Sequence, residues 1–231
     1  MQAPKNGFFY VLDAADGELI SATPFTAQNW TTGEFDENGR PELVEEAVDL
    51  ALYAVVPGPT GAHNWHPMAF NPDTGLVYIP VNEIPFFYDK TRNVEDSKSF
   101  WNIGYDAAAG WPVEYPAGTL DAVRDLDGGS LLAWDPVKAE PRWAVPFALP
   151  LNGGVLSTQA GLVFQGNKFG EFVAYDAETG ERLWADKLVG NAAAAPMTYE
   201  IDGEQYLSVL SGWGSVSSLI AGFTYGEAKS K

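Results

Sequence analysis

The chain of 231 residues alternates short apolar runs with turns rich in Gly, Asp, Asn and Pro. No amphipathic run of helical period persists beyond a turn or two, so the pattern predicts strands joined by tight turns. Strand-like runs occupy residues 8–12, 76–81 and 162–166. The apolar run at 195–201 is followed by Asp202-Gly203, a turn sequence that predicts a β-hairpin with the next run.

A weak internal repeat organises the chain, and its fullest copy follows the apolar strand 172–175. There Asp176 is followed by Gly180 four residues later and by Trp184 eight residues later. Asp135 and Trp143 repeat the Asp-to-Trp spacing 41 residues earlier in the chain. A period of roughly 40 residues with several short strands is typical of one β-propeller blade.

A third copy begins at Asp13, keeps Gly17 at the same spacing and has Ser21 where the other copies have Trp. In such a hairpin the Asp side chain accepts bonds from backbone N–H groups of the turn, and the Gly adopts the positive φ that closes it. This role explains the Asp residues better than catalysis does. A recurring indole, here Trp143 and Trp184, is suited to wedge against the next sheet, burying about 150–250 Å². The sequence therefore predicts an all-β fold, a partial propeller of about three to four blades with tryptophan wedges.

Two acid-rich stretches, residues 22–56 and 86–128, carry few strand patterns. We interpret them as long excursions between strands, since loops of that length are usually functional or contact a partner. The whole chain, 1–231, is expected to form a single partial propeller domain.

Composition narrows the function classes. Thirteen basic and 31 acidic residues give a formal net charge of −18, which disfavours nucleic acids and anionic membrane surfaces as partners. The absence of Cys excludes disulfides, thiol nucleophiles and covalent haem attachment. No apolar run approaches the roughly 20 residues of a membrane span. Residues 1–7 contain no signal-peptide core, and the early strand at 8–12 suggests that a segment upstream is missing.

Metal-binding patterns are weak. His63 and His66 stand at i and i+3, but no third ligand follows at a diagnostic spacing, so structural hydrogen bonding is favoured over zinc. Asp121, Asp125 and Asp127 are similar to a calcium loop but lack the Glu expected at its twelfth position, and we interpret them as solvated acids. No nucleophile elbow, phosphate loop or dinucleotide fingerprint is present.

Several motifs resemble one known family, the pyrroloquinoline quinone (PQQ) dependent alcohol dehydrogenases, especially the soluble quinohaemoprotein type. The similar segments, in the expected order, are 3–13, 17–22, 57–59, Gly-Ala-His-Asn-Trp-His-Pro-Met at 61–68, Asn-Gly-Gly at 152–154, 166–180 and Gly-Trp-Gly at 212–214. The resemblance implies the C-terminal part of an eight-bladed propeller. It also implies a periplasmic enzyme that oxidises small alcohols to aldehydes or ketones and passes electrons to a cytochrome c.

The resemblance assigns four cofactor-binding residues. Lys5 corresponds to the basic residue that contacts the ortho-quinone oxygens of PQQ, where an ammonium stabilises developing negative charge. Asn64 and Trp65 match an Asn-Trp pair at the cofactor rim, and the backbone of Val216 is expected near a PQQ carboxylate. Leu151 stands where many relatives have Trp, which puts one aromatic wall of the substrate funnel in doubt.

The family mechanism needs residues that the resemblance places upstream of Lys5. It implies calcium polarising the C5 carbonyl, an Asp acting as base on the alcohol, and hydride passing to C5. We therefore expect no catalytic base and no calcium ligands in this chain, and no turnover by the chain alone. Haem c is expected only in a separate segment, and the missing N-terminal propeller half is an expected partner.

A second hypothesis is a non-enzymatic propeller scaffold of the outer-membrane assembly lipoprotein type. Such a protein shares the Asp-Gly-Trp hairpins but does not need Lys5 or the loop 61–67, so these residues favour the enzyme. The enzyme hypothesis expects the Lys5 ammonium and the Asn64 amide side by side at the mouth of the propeller.

Overall fold

The computed structural model describes residues 1–48, 54–87 and 128–212. The chain divides into two compact units, which are described separately. The first comprises Met1–Ala62 with Glu83–Leu126, and the second comprises His63–Asn82 with Asp127–Lys231. No helix in the described ranges has the length and apolar character that crossing a membrane requires.

Strands dominate both units, as the pattern of short apolar runs predicts. The strands are β1 Phe8–Leu12, β2 Leu19–Pro24, β3 Thr31–Phe35, β4 Pro41–Leu43, β5 Ala54–Val55, β6 Ala69–Asn71, β7 Leu76–Asn82, β8 Phe86–Phe87, β9 Gly129–Asp135, β10 Glu140–Phe147, β11 Val155–Ser157, β12 Leu162–Gly166, β13 Glu171–Asp176, β14 Arg182–Lys187, β15 Met197–Ile201 and β16 Glu204–Ser208. A single helical turn, α1, spans Glu45–Val48.

Among its described residues the first unit contains three two-stranded antiparallel sheets, β1-β2, β3-β4 and β5-β8. Phe8, fully buried in β1, lies at the centre of an aromatic cluster. Its ring meets Trp30 edge-on at 6.1 Å and Phe35 at 5.0 Å between centroids. Edge-to-face pairs of this kind add about 0.5–1.5 kcal/mol each beyond area burial.

Residues 22–56, interpreted from the sequence as a long excursion with few strand patterns, contain short strands in the structure. β2 continues to Pro24, and β3 and β4 form a further hairpin. Asp36 closes that hairpin, since its side chain accepts bonds from Asn38 N and Arg40 N, both at 2.9 Å. The aromatic cluster around Phe8 draws this segment into the unit. Of the second excursion, 86–128, residues 88–127 lie outside the described ranges, while β8 pairs with β5.

The second unit contains two four-stranded sheets and one hairpin. The first sheet has the order β10-β9-β7-β6 and the second β11-β12-β13-β14, both antiparallel. The second sheet follows the chain strand by strand, and the first does so except that β8 and the other residues of 83–128 intervene between β7 and β9. Antiparallel sheets of four strands in this order are typical of propeller blades. The hairpin predicted at Asp202-Gly203 is confirmed: β15 pairs with β16, and both turn residues have positive φ.

Asp residues close the repeated turns as the sequence predicts. Asp176 Oδ1 accepts bonds from Glu178 N at 3.0 Å and Thr179 N at 2.9 Å. Asp135 binds Val137 N and Lys138 N in the same way, at 3.0 and 2.9 Å. The Thr179 hydroxyl, together with these N–H groups, holds the pKa of the Asp176 carboxyl below its usual range. The N–H groups of Lys138 and Val137 lower the pKa of Asp135 in the same way. The structure therefore gives these acids a turn-closing role.

Trp143 makes one of the contacts that join the two four-stranded sheets. Its indole Nε1 donates to the Ala177 carbonyl at 3.1 Å, and the Tyr78 hydroxyl donates to the same oxygen at 2.9 Å. The indole also covers Gly180, where an added Cβ would lie 2.7 Å from the ring. The core beneath it combines buried residues of both sheets, among them Leu131, Val163 and Val173. The predicted wedge is confirmed at this join.

Trp184 does not have the same role within the described residues. It is 49% exposed, and its ring meets Phe172 of its own sheet edge-on at 6.4 Å. Residues 213–231, which follow the last described strand, lie outside the described ranges, so the wedge expected at Trp184 stays a prediction.

Gly180→Ala should destabilise the chain more than Gly75→Ala does. Both glycines have positive φ, +74° and +70°, but an added Cβ has no neighbour within 4 Å at Gly75. The backbone penalty is about 1–2 kcal/mol at both sites, and displacing the indole adds about 1–3 kcal/mol at Gly180 alone. Thermal unfolding should show the difference, since 1 kcal/mol corresponds to about 2–4 °C at this chain length. Equal losses would contradict the wedge.

Candidate functional site

Lys5 lies in the first unit, in a turn that precedes β1. Gly7 N donates to Pro4 O at 3.4 Å to close the turn, and Ala62 N donates to the Lys5 carbonyl at 2.9 Å. The Lys5 ammonium is exposed and donates to the Pro59 carbonyl at 3.1 Å. The lysine is therefore held at both its backbone and its side chain by the loop 57–62.

The glycines of this loop allow the close contact with Lys5. A Cβ on Gly61 would lie 2.6 Å from the Lys5 Cβ, and its φ is +79°. A Cβ on Gly58 would lie 2.7 Å from the Phe86 Cβ. Neither position has room for a side chain, so the lysine stem lies directly on the loop backbone. Gly58 and Gly61 both belong to the segments that resemble the family, and this packing explains why each position needs a glycine.

Asn6 fixes the chain on the other side of Lys5. Its Nδ2 donates to the Tyr10 hydroxyl at 2.8 Å, and its Oδ1 accepts a bond from Phe8 N at 3.2 Å. Since Phe8 belongs to the aromatic cluster, the residue after the lysine is anchored to the core of the unit.

Asn64 and Trp65 open the second unit, in the loop that leads into β6. Asn64 Oδ1 accepts a bond from Trp65 N at 2.8 Å. The Trp65 indole stacks on the His66 imidazole, with ring centroids 4.0 Å apart and an interplanar angle of 24°. Trp65 nevertheless remains 52% exposed. One face of the indole is thus covered by protein, while much of its surface is open to solvent.

His63 and His66 support this loop from inside. His63 Nε2 lies 2.7 Å from the His66 carbonyl oxygen, so Nε2 carries the proton and donates. Burial lowers the pKa of His66 to about 4, with further lowering from the charges of His63 and Lys168. His66 is therefore a neutral imidazole at pH 7. The structure agrees with the hydrogen-bonding role expected for His63.

Buried polar side chains gather at this end of the second unit. Among the described residues of the whole chain, seven uncharged polar or His side chains are buried, and six share this end: His63, His66, Asn82, Asn152, Gln165 and Asn167. The antiparallel pairing sets the start of β6 beside the end of β7, and the start of β11 beside the end of β12. Val155 N donates to Pro67 O at 2.9 Å, which joins the two sheets at this end.

Two amides bind the connecting loops to this end. Asn82 Oδ1 accepts a bond from Leu151 N at 2.7 Å. Asn152 donates from Nδ2 to Leu149 O at 2.8 Å and accepts from Lys168 N at 3.2 Å. Leu151 is buried with a positive φ of 59°. Leu151 therefore fills a strained, enclosed position.

Sequence reasoning missed Asn82, Gln165 and Lys168. Gln165 is 1% exposed and donates from Nε2 to Gly153 O at 2.8 Å, while Oε1 has no hydrogen-bond partner within the described residues. Burial lowers the pKa of Lys168. The sequence did contain a signal for two of these residues, because Asn82 directly follows the apolar run 76–81 and Gln165 directly follows the run 162–164. A polar residue at the end of a buried strand needs a hydrogen-bond partner.

The remaining assignments are not tested by the geometry. Val216 lies outside the described residues. Lys5 belongs to one unit, and Asn64 and Trp65 belong to the other, so the expectation that ammonium and amide stand side by side stays a prediction. In the described ranges, no group of three or more His, Cys, Asp or Glu side chains could hold a metal ion.

The donor set fits PQQ in chemical type. An exposed ammonium that is already held in place suits a quinone or carboxylate oxygen. An exposed indole backed by a second ring suits a flat conjugated ligand. Lys5 in the first unit and Trp65 in the second unit therefore each carry a group of a type that PQQ can contact.

Comparison with known proteins agrees with these observations. Residues 128–207 match the family described as PQQ glucose/ethanol/alcohol dehydrogenase, β-propeller domain. The chain is 44% identical to quinohemoprotein alcohol dehydrogenase ADH-IIG of Pseudomonas putida, across 96% of this chain and 32% of that protein. It is 39% identical to a 1-butanol dehydrogenase (cytochrome c) of Thauera butanivorans, across 94% of this chain and 31% of that protein.

A solved structure gives the same result. Quinohemoprotein alcohol dehydrogenase from Comamonas testosteroni superposes with a TM-score of 0.78 at 43% identity, covering 93% of this chain and 32% of that one. The chain is therefore homologous to one portion of the PQQ-dependent alcohol dehydrogenases, and both the resemblance and the partial propeller fold are confirmed. It spans about a third of the length of these relatives.

The neutral His66 predicts a specific pH dependence of stability. Its pKa is about 4 in the folded chain and about 6.5 when unfolded, so the unfolded state binds the extra proton between these values. The free energy of unfolding should fall by up to about 3 kcal/mol as pH drops from 7 to 4. Urea unfolding with His66→Phe as comparison measures this contribution.

Three carboxyls with lowered pKa values also contribute to stability, but in a more acidic range: Asp135, Glu171 and Asp176. The stability that each ionised carboxylate contributes is lost only as the pH falls below the ordinary pKa of that group. A flat profile between pH 7 and 5 that His66→Phe leaves unchanged would show that His66 is not buried in the neutral form.

Proposed function

We propose that this chain is a portion of a PQQ- and calcium-dependent alcohol dehydrogenase that oxidises alcohols to aldehydes or ketones and passes the electrons to a cytochrome c in the periplasm. The relatives support this proposal, since they are quinohemoprotein alcohol dehydrogenases and include a 1-butanol dehydrogenase (cytochrome c). When bound, PQQ supplies an ortho-quinone that accepts the two electrons of the alcohol.

The observation that carries the proposal is the fixed, exposed ammonium of Lys5. One N–H is directed to Pro59 O, and the stem lies against Gly61, so the charge is positioned before any ligand binds. A preorganised cation stabilises negative charge on an acceptor oxygen without reorganisation at the moment of reaction. Lys5 is therefore assigned to the quinone oxygens.

Asn64 and Trp65 are assigned to the cofactor rim. The side-chain oxygen Oδ1 of Asn64 accepts a hydrogen bond from Trp65 N, so the loop itself orients the side-chain amide. The exposed Trp65 indole offers both a flat surface and an N–H donor. Val216 completes the assignment through its backbone. The catalytic base and the calcium ligands are assigned to the part of the enzyme outside this chain.

The purified chain should bind PQQ with quenching of tryptophan fluorescence, and Lys5→Ala should weaken binding about 10- to 100-fold. A hydrogen bond to a charged group contributes about 1.5–3 kcal/mol, which gives this range. Lys187→Ala is the matched control, because it removes another exposed lysine, on β14. Fluorescence titration measures all three dissociation constants.

Equal affinity of the wild-type chain and Lys5→Ala would contradict the assignment of Lys5. Absence of any PQQ-dependent quenching would favour the scaffold hypothesis, since a structural propeller needs neither Lys5 nor the loop 61–67.

The chain alone should not oxidise alcohols. With PQQ, calcium and ethanol or 1-butanol, dye-coupled assays should show no turnover above the protein-free control, because the base that accepts the alcohol proton is assigned outside this chain. PQQ-dependent reduction of the dye by the purified chain would overturn this division of the active site.

A further inference from the structure

We propose that His66 is a positioning residue that sets the orientation of the Trp65 indole presented to PQQ. This inference rests on the proposed function for the identity of the ligand. Its structural part, the control of Trp65 by His66, rests on the geometry of the loop 63–67 alone.

The stack between the two rings is close and nearly parallel. The centroids are 4.0 Å apart with an interplanar angle of 24°, although the residues are adjacent in the chain. His66 is 2% exposed, whereas Trp65 is 52% exposed. The buried ring is therefore the fixed member of the pair, and the exposed indole is the ring that would turn without it.

The backbone of His66 is also held. Its carbonyl accepts the bond from His63 Nε2 at 2.7 Å. The next residue is held too, since Pro67 O accepts a bond from Val155 N at 2.9 Å, and its ring lies against Gly154, where an added Cβ would be 2.9 Å from the Pro67 Cγ. The imidazole thus stands on a segment tied to the neighbouring sheet.

The environment keeps the His66 ring uncharged. His63 and Lys168 are the titratable groups whose charges act on it, and both oppose its protonation. A neutral ring packs in a buried site at no cost of charge desolvation. The His66 ring in the stack is therefore neutral at pH 7.

The stack on His66 is the ring contact of the Trp65 indole within the residues that the structure describes. Its backbone N donates to Asn64 Oδ1 and its ring stacks on His66. An aromatic pair is worth about 0.5–1.5 kcal/mol beyond area burial, enough to select one ring orientation. Preorganising the indole lowers the ordering cost of binding a flat ligand on its exposed surface.

The test compares His66→Ala with His66→Phe in the full 231-residue chain. Phe keeps a flat ring for the stack but no ring nitrogen, whereas Ala removes the ring. Phe70→Ala is the matched control, since it removes an exposed aromatic side chain of β6. The Trp65 indole N–H signal, assigned with Trp65→Phe, reports the stack by NMR without any ligand.

We expect His66→Ala to move the Trp65 indole N–H signal towards that of an exposed indole. The same substitution should weaken PQQ binding about 2- to 10-fold. His66→Phe should restore PQQ affinity to within about 2-fold, and Phe70→Ala should change neither quantity. Thermal unfolding of each variant identifies any that does not fold. Rescue by Phe separates ring stacking from a general loss of stability.

An unchanged Trp65 signal in His66→Ala would overturn the inference, as would a shifted signal with unchanged PQQ affinity. Failure of the wild-type chain to bind PQQ would contradict the proposed function instead. In that case the NMR comparison still decides whether His66 positions the indole.

Discussion

The structure of the second unit depends on the join between its two four-stranded sheets, where the Trp143 indole docks on the turn between β13 and β14. The Ala177 carbonyl accepts hydrogen bonds from both Trp143 and Tyr78, so a single oxygen ties two residues of one sheet to the other. Gly180 makes this possible, because any side chain there would meet the indole. The two hydrogen bonds to the Ala177 carbonyl and the apolar packing beneath the indole together fix how the two sheets meet.

That join has consequences at the opposite ends of the strands. With the sheets fixed, the loops before β6 and β11 are brought together, and Pro67 O accepts the bond from Val155 N. Buried amides such as Asn82 and Asn152 then bind the connecting loops, which makes this end rigid and polar rather than apolar. A rigid scaffold that carries an exposed indole on a supported loop is the arrangement expected of a cofactor rim.

Much of the fold could be predicted because its signals are local. Each of the turns at Asp135 and Asp176 is determined by about five consecutive residues. The spacing from the Asp to the following Trp then follows from the length of the hairpin. The bond from Leu151 N to Asn82 joins residues 69 positions apart, and nothing local to either one indicates it. Trp184 has the same spacing as Trp143, but within the described residues it is 49% exposed, so spacing alone does not determine burial. For Lys5, Asn64 and Trp65 the resemblance supplied the roles, and physical reasoning from the sequence supplied only their donor chemistry.

The most direct test of the account is hydrogen exchange at the Trp143 indole N–H, followed by NMR under native conditions. An N–H that donates to a carbonyl across the join exchanges only when the two sheets separate. We expect the Trp143 indole N–H to be protected to a degree comparable to the backbone amides of β12 and β13. The half-exposed indoles of Trp65 and Trp184 should exchange fast. Exchange of Trp143 as fast as that of Trp184 would show that the sheets are not held together by this contact.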